Sequence, residues 1–302
     1  MVEIPDAFRG RLRVGTCSWK YDSWRGLLYD RDTKYHADDY LVDYSKHLDT
    51  VEVDQWFWSL YPAGPKLPDR AQATTYARSV PDDFVFAVKA PNSITLTHFY
   101  AKQPKSYAKY ANAPNPHFLS VELLERFLES LQPMRSRLGP IMFQFEYLNR
   151  KKMPSREAFL ERMDAFFSGA PRGYRYAVET RNPNYLSEAY FEFLRERNLG
   201  HVFVDGYYMP EIGESFRKFD TRTADFCVIR LLGADRAGME DATGGVWNRL
   251  VEQRDEGIRT AVEIVKAMAE KSITTYVMIN NHYEGSAPLT IERFLAALAK
   301  AG

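Results

Sequence analysis

The sequence predicts an α/β protein of the (β/α)8 class, a TIM barrel forming a single domain over residues 1–302. Three observations predict it. Short β-branched and aromatic runs recur eight times, each is followed by a longer stretch with apolar positions at helical spacing, and no linker-like break separates the units. Such alternation specifies parallel strands joined by right-handed crossovers, and eight units close more readily into a barrel than into an open sheet.

The eight expected strands are Arg11 to Cys17, Asp49 to Val53, Phe84 to Lys89, Pro140 to Phe145, Tyr174 to Glu179, His201 to Asp205, Phe226 to Leu231 and Thr275 to Asn280. The helices expected between them run from Ala37 to His47, Arg70 to Ser79, Val121 to Leu131, Ser155 to Ser168, Ser187 to Asn198, Trp247 to Ala269 and Ile291 to Ala299, several opened by a Ser suited to capping. Two connections, Ala90 to Leu119 after strand three and Gly206 to Ala224 after strand six, are too long for plain loops and read as lids or binding loops.

Composition narrows the function. With 40 basic and 40 acidic side chains the net charge is zero, so nothing global draws the chain to nucleic acid or an anionic membrane. No segment is apolar for long enough to span a bilayer, and the charged N-terminal stretch from Glu3 to Arg13 does not read as a signal peptide, so a cytoplasmic location is expected. The two cysteines, Cys17 and Cys227, are expected to be buried and unlinked.

Side chains of a barrel strand alternate between the interior and the helices, which marks Glu52, Lys89, Gln144, Glu179, Asp205, Arg230 and Asn280 as inward-pointing groups at the carboxyl ends of their strands. Earlier inward positions, among them Val85, Ala87, Met142, Ala177, Val228 and Met278, are apolar. The chemistry is therefore expected at the carboxyl rim, the face on which barrels build their sites. Glu52, Glu179 and Asp205 bring three negative charges, and Lys89, Arg230 and Arg181 bring three positive ones. Such a set either plugs the barrel as a structural ion network or serves a polar ligand, and the cost of desolvating so many ions favours the second. On this reading Glu52 and Glu179 are the acid and base, Lys89 and Arg230 hold an anion, and Gln144, Arg181, Asp205, Asn280, Asn281 and His282 complete the binding shell.

The motifs that carry this layer also resemble those of the family known as domain of unknown function 72, the YecE-like proteins. The matching stretches are Val14-Gly15-Thr16-Cys17-Ser18-Trp19 with Trp24 and Tyr29, Thr50-Val51-Glu52-Val53, Phe84 to Lys89, and Leu138-Gly139-Pro140 through Gln144-Phe145. To these are added Val178-Glu179 with Arg181-Asn182-Pro183, Val228-Ile229-Arg230-Leu231, and Asn280 through Pro288. The resemblance spans nearly the whole chain and implies a TIM-type barrel, but it implies no activity. The chain departs from the family pattern at Asp54-Gln55-Trp56-Phe57-Trp58 and at Leu232, changes expected to enlarge the rim beside strand two and make it more aromatic.

Several further signals bear on ligands. The histidines at 36, 47, 98, 117, 201 and 282 show no metal-binding spacing, so no cofactor is predicted. A divalent ion on Glu52, Glu179 and Asp205 stays open, although Lys89 and Arg230 oppose it. Trp19 and Trp56 are the aromatic residues best suited to stack on a sugar or base at the rim. Between Phe84 and Val121 there is no acidic residue, and Lys102, Lys105 and Lys109 alternate with Phe99, Tyr100, Tyr107 and Tyr110, a strip able to grip a single strand of nucleic acid or to form a solvated lid. Asn280-Asn281-His282 with Gly285, and Leu232 through Arg236, mark the last two connections as phosphate sites or structural turns.

The expected function is a polar rim pocket binding a small anionic or polyhydroxylated molecule, with metal-free acid–base hydrolysis or isomerisation as its chemistry. Two alternatives stand beside it. One is a nucleic-acid-binding or metal-dependent phosphodiester-processing barrel, gripping its substrate through loop 99–110. The other is a non-catalytic metabolite-binding protein. Oligomeric state and substrate identity are not legible in the sequence.

Overall fold

The computed structural model describes residues 3–301. Eight parallel strands close in sequence order into a barrel: β1 (Leu12–Cys17), β2 (Thr50–Val53), β3 (Val85–Lys89), β4 (Leu138–Gln144), β5 (Arg175–Glu179), β6 (Gly200–Gly206), β7 (Phe226–Gly233) and β8 (Thr274–Ile279). The eight expected strands are therefore all present, with ends displaced by one or two residues. Closure is made by β1 against β8, in a register that sets Val14 beside Val277.

Ten helices surround or cap the barrel: α1 (Asp39–Tyr44), α2 (Arg70–Arg78), α3 (Asn92–Thr95), α4 (Val121–Ser130), α5 (Arg156–Gly169), α6 (Glu188–Glu196), α7 (Ile212–Lys218), α8 (Arg236–Thr243), α9 (Asp255–Glu270) and α10 (Ala287–Ala301). The expected serine caps are in place. Ser120, Ser155 and Ser187 accept the backbone N–H of Leu123, Ala158 and Tyr190, each three residues on, satisfying a donor that the first helical turn leaves free.

Three helical expectations change. The connection from Gly206 to Ala224 contains α7, and α8, capped by the Asp235 carboxylate on the N–H of Gly238, fills the space after β7. The helix expected from Trp247 begins instead at Asp255, because the N–H of Arg254 is drawn to the buried carboxylate of Glu284 at 2.6 Å.

Apolar packing lies in two shells. One lies between the strands and the helices. The other fills the barrel with Cys17, Ala87, Met142, Ala177, Val202, Val204, Phe226, Val228, Leu232, Tyr276 and Met278. The interior is thus apolar along most of its length; its ionic groups gather at the carboxyl end, while at the amino end the Tyr276 hydroxyl accepts from Arg175. Tyr44 ties the first two strands together, its hydroxyl accepting from the N–H of Thr16 at 3.0 Å and donating to the carbonyl of Thr50 at 2.9 Å.

At the rim, asparagines brace the connections. Asn92 Oδ1 accepts the N–H groups of Ser59 and Leu60, joining the loops after β2 and β3, and Asn182 makes a two-way bridge to the backbone of Leu148, joining those after β4 and β5. Among the described residues no helix is long and apolar enough to cross a membrane.

Candidate functional site

Counting inward from the apolar interior residues, the next inward position on each strand is polar on five of them: Lys89 follows Ala87, Gln144 follows Met142, Glu179 follows Ala177, Arg230 follows Val228 and Asn280 follows Met278. Glu52 joins them from β2. The expected convergence occurs. Arg230 grips Glu52 with two prongs, Nε to Oε2 at 2.8 Å and Nη2 to Oε1 at 2.7 Å. Its third nitrogen, Nη1, donates to Glu179 Oε2 at 2.5 Å and to Gln144 Oε1 at 3.1 Å. Arg181 completes the set from beyond β5, its Nε at 2.7 Å and Nη2 at 2.5 Å from Glu179 Oε1. Cys17 Sγ lies 3.5 Å from Glu52 Oε2.

Both carboxylates are thereby consumed. Glu52 and Glu179 expose none of their surface and Arg230 exposes 4%. The expectation that Glu52, Glu179 and Arg230 line an open polar pocket needs correction: they form a closed ion network beneath the rim, in which each carboxylate oxygen already has a donor. For Glu179, burial opposes ionisation, but Arg181, Arg230 and Lys89 outweigh it and hold the carboxyl at about 2. Arg230 is held firmly protonated by the two glutamates in spite of its burial.

Lys89 is different. It is 9% exposed and, among the described residues, enters no hydrogen bond or ion pair; its ammonium sits 3.9 Å from the centre of the Phe57 ring. Burial, then the nearby Arg230, lower its pKa, against the pull of Glu52 and Glu179. Asp54, the first residue after β2, is close enough to feel the charges of Lys89, Glu52 and Arg230. Burial and the charge of Glu52 raise the Asp54 carboxyl above the usual range, against the opposing effects of Lys89 and Arg230.

A sequence model described as a protein of unknown function, DUF72, matches residues 13–302 of this framework. The chain belongs to the DUF72 family. Among solved structures, a DUF72 family protein from Thermotoga maritima is similar at 25% identity and a TM-score of 0.66, over 95% of this chain and 99% of that one. A DUF72 family protein from Enterococcus faecalis is similar at 20% identity and a TM-score of 0.66, over 95% of each chain. No curated protein matches.

The remaining expected residues of this DUF72 barrel divide. Asn280 points inward and receives His282 N–H at 2.9 Å, while His282 also lies 3.1 Å from Glu240 and packs edge-on against Trp247; burial lowers its pKa. Asp205 is misassigned by the sequence. Its neighbour Val204 occupies the interior, so Asp205 faces outward, where it accepts the Tyr283 hydroxyl at 2.7 Å beside α9.

Trp19 and Trp56 are also corrected. Both are buried against Tyr76 of α2, and the Trp56 indole donates to Gln72, so neither offers a face to a rim ligand. Asn281 is buried too, accepting from Trp24 Nε1 and from the N–H of Ala287 at the start of α10, which makes it a structural brace.

In loop 99–110, Phe99 is buried and Tyr110 packs against it, while Lys102, Lys105, Tyr100, Tyr107 and Lys109 are exposed. Tyr100 and Tyr107 line a surface cleft with Trp58 and Tyr61, away from the ion network.

Sequence reasoning missed Asp54 as a site group, having noted it only as a departure from the family pattern. Alternation could not have found it, because the chain leaves strand geometry at Asp54, which takes helical φ/ψ ahead of the turn at Gln55–Phe57. Tyr207, whose ring lies 4.2 Å beneath the Arg181 guanidinium, carried no such signal either, because the chain there leaves strand geometry with a left-handed φ of 56°.

Proposed function

We infer that the rim is a binding site for a small anion, with Lys89 as its anchor, Arg181 as a second cationic wall and Asp54 as the group that exchanges protons with the bound molecule. The single observation behind this reading is Lys89, a side chain only 9% exposed whose ammonium enters no hydrogen bond or ion pair among the described residues. An isolated buried cation is costly, and such charges persist where they are paired, hydrogen-bonded or reserved for a ligand.

Charge balance supports the same reading. With Asp205 turned outward, the two glutamates face three cations, Lys89, Arg181 and Arg230, and Asp54 is the further carboxyl that feels Lys89 and Arg230. The two glutamate carboxylates alone thus leave the set with one surplus positive charge toward an incoming anion. Glu52 and Glu179 then act as positioning residues. A Glu179 carboxyl held at about 2 is a poor proton donor at neutral pH, whereas Asp54 and Lys89 are each shifted toward the middle of the pH scale, the direction that suits proton transfer. Hydrolysis and isomerisation of an anionic, hydroxyl-bearing substrate both need such a pair. The phosphodiester alternative has less support, since arginines occupy the two glutamates that would hold its metal.

Thermal melting in inorganic phosphate tests this. The wild-type protein is expected to gain several degrees at saturating phosphate and Lys89→Met to gain none, since a ligand at 100 times its dissociation constant adds about 2.7 kcal/mol. Equal gains in both proteins, or none in either, would remove the reading.

A further inference from the structure

Arg181 belongs to two environments at once. Its Nε and Nη2 are committed to Glu179, while its flat face stacks on Tyr207 and lines a surface cleft of about 480 Å³ with Tyr147, Pro183, Tyr207, Tyr208 and Met209. Tyr208 is 96% exposed, Tyr147 60% and Tyr207 40%. Three tyrosines that share one cleft while 40% or more of each stays in water are an expensive arrangement unless something covers them.

The backbone is shaped to produce it. Gly206 has a φ of 145° and sits so close to β7 that a Cβ there would lie 2.5 Å from the carbonyl oxygen of Gly233. Its successor Tyr207 takes a left-handed conformation and donates its N–H to that same oxygen at 3.1 Å. The chain thus turns at the end of β6 so that the Tyr207 ring falls onto Arg181. A non-glycine residue held in that region costs free energy, and such strain gathers at ligand sites.

We propose that the anion bound at the rim carries a planar aromatic group, which lies in the cleft against Tyr147, Tyr207 and Tyr208 while its charged end reaches the Arg181 and Lys89 side of the barrel mouth. The class is an aryl phosphate or a similar ring-bearing dianion. The volume lies in the range of small-molecule sites, and the cleft is apolar apart from Arg181, the residue that connects it to the ion network through Glu179. The inference rests on the anion site argued above and adds the chemistry of the group attached to the anion.

Calorimetric titration with inorganic phosphate and with phenyl phosphate separates the two claims. Phenyl phosphate is expected to bind at least tenfold more tightly than phosphate to the wild-type protein, and the ratio is expected to fall to within about twofold in Tyr147→Ala/Tyr208→Ala, whose altered side chains are exposed enough for the fold to tolerate the change. Equal affinities in the wild type, with phosphate binding still abolished by Lys89→Met, would overturn the aromatic class and leave the anion site standing. Phenyl phosphate binding that the tyrosine pair weakens but Lys89→Met does not would overturn the anion anchor and uphold the cleft. Binding of neither probe would overturn both.

Discussion

The guanidinium of Arg230 closes on both carboxylate oxygens of Glu52, at 2.7 and 2.8 Å, although their strands, β7 and β2, are not neighbours in the barrel. The pair spans the interior, and with Glu179 on the third nitrogen it turns the top of the barrel into a cross-braced layer. Only a planar fork can serve two carboxylates in this way.

Removing that fork leaves two buried carboxylates without their shared partner. Arg230→Met is therefore expected to lose about 3–5 kcal/mol of stability, and Arg230→Lys to recover little of it, because an ammonium cannot reproduce the two-pronged geometry. Urea unfolding of the three proteins measures the difference. A loss under 1 kcal/mol in Arg230→Met would mean that the network does not brace the barrel.

Glu179 gives the fold an acid limit. Its carboxyl is depressed from 4.5 to about 2 on folding, so its contribution is complete above about pH 4.5 and is lost as the pH falls toward 2. Glu179→Gln is expected to be less stable at pH 7 and to show a shallower fall in stability between pH 4.5 and 2. Parallel pH–stability curves for the two proteins would contradict this assignment.

Asp54 and Lys89 are expected to set the pH dependence of the proposed anion binding. As the pH rises through the raised pKa of Asp54, the new negative charge opposes the anion and affinity drops; as it rises further, through the lowered pKa of Lys89, the anchor is lost. Sulfate, which does not titrate in this range, is the suitable probe. Asp54→Asn is expected to abolish the first step and keep the second, and to bind sulfate severalfold more tightly at neutral pH. Retention of both steps in that variant would show that another group is responsible.

Asp205 and Tyr283 provide the contrast. Their hydrogen bond lies outside the barrel interior, so Tyr283→Phe is expected to cost about 1–3 kcal/mol of stability and to leave the phosphate-induced shift in melting temperature intact. Loss of that shift would return Asp205 to the site.

The barrel and most of its polar layer were legible because alternation along a strand is geometric. Lys89, Gln144, Glu179, Arg230 and Asn280 each stand two residues beyond an apolar interior side chain, and that spacing carries them to the same layer. Asp205 failed the same test: two residues before it stands Phe203, which packs toward the helices. Trp19 and Trp56 were misread because strand alternation ends before them, Trp56 lying in a single tight turn after β2. The sealing of the glutamates was not legible either. Composition and spacing place six charges at one rim but not which lone pairs are already occupied, and that depends on how far Arg230 and Arg181 reach.

Anomalous scattering from crystals soaked in tungstate, a heavy tetrahedral oxyanion, tests the central claim most directly. A peak within hydrogen-bond reach of Lys89 Nζ, absent from Lys89→Met crystals grown and soaked alike, is the predicted result. Tungstate bound only at exposed surface lysines and arginines, with none at Lys89, would contradict it.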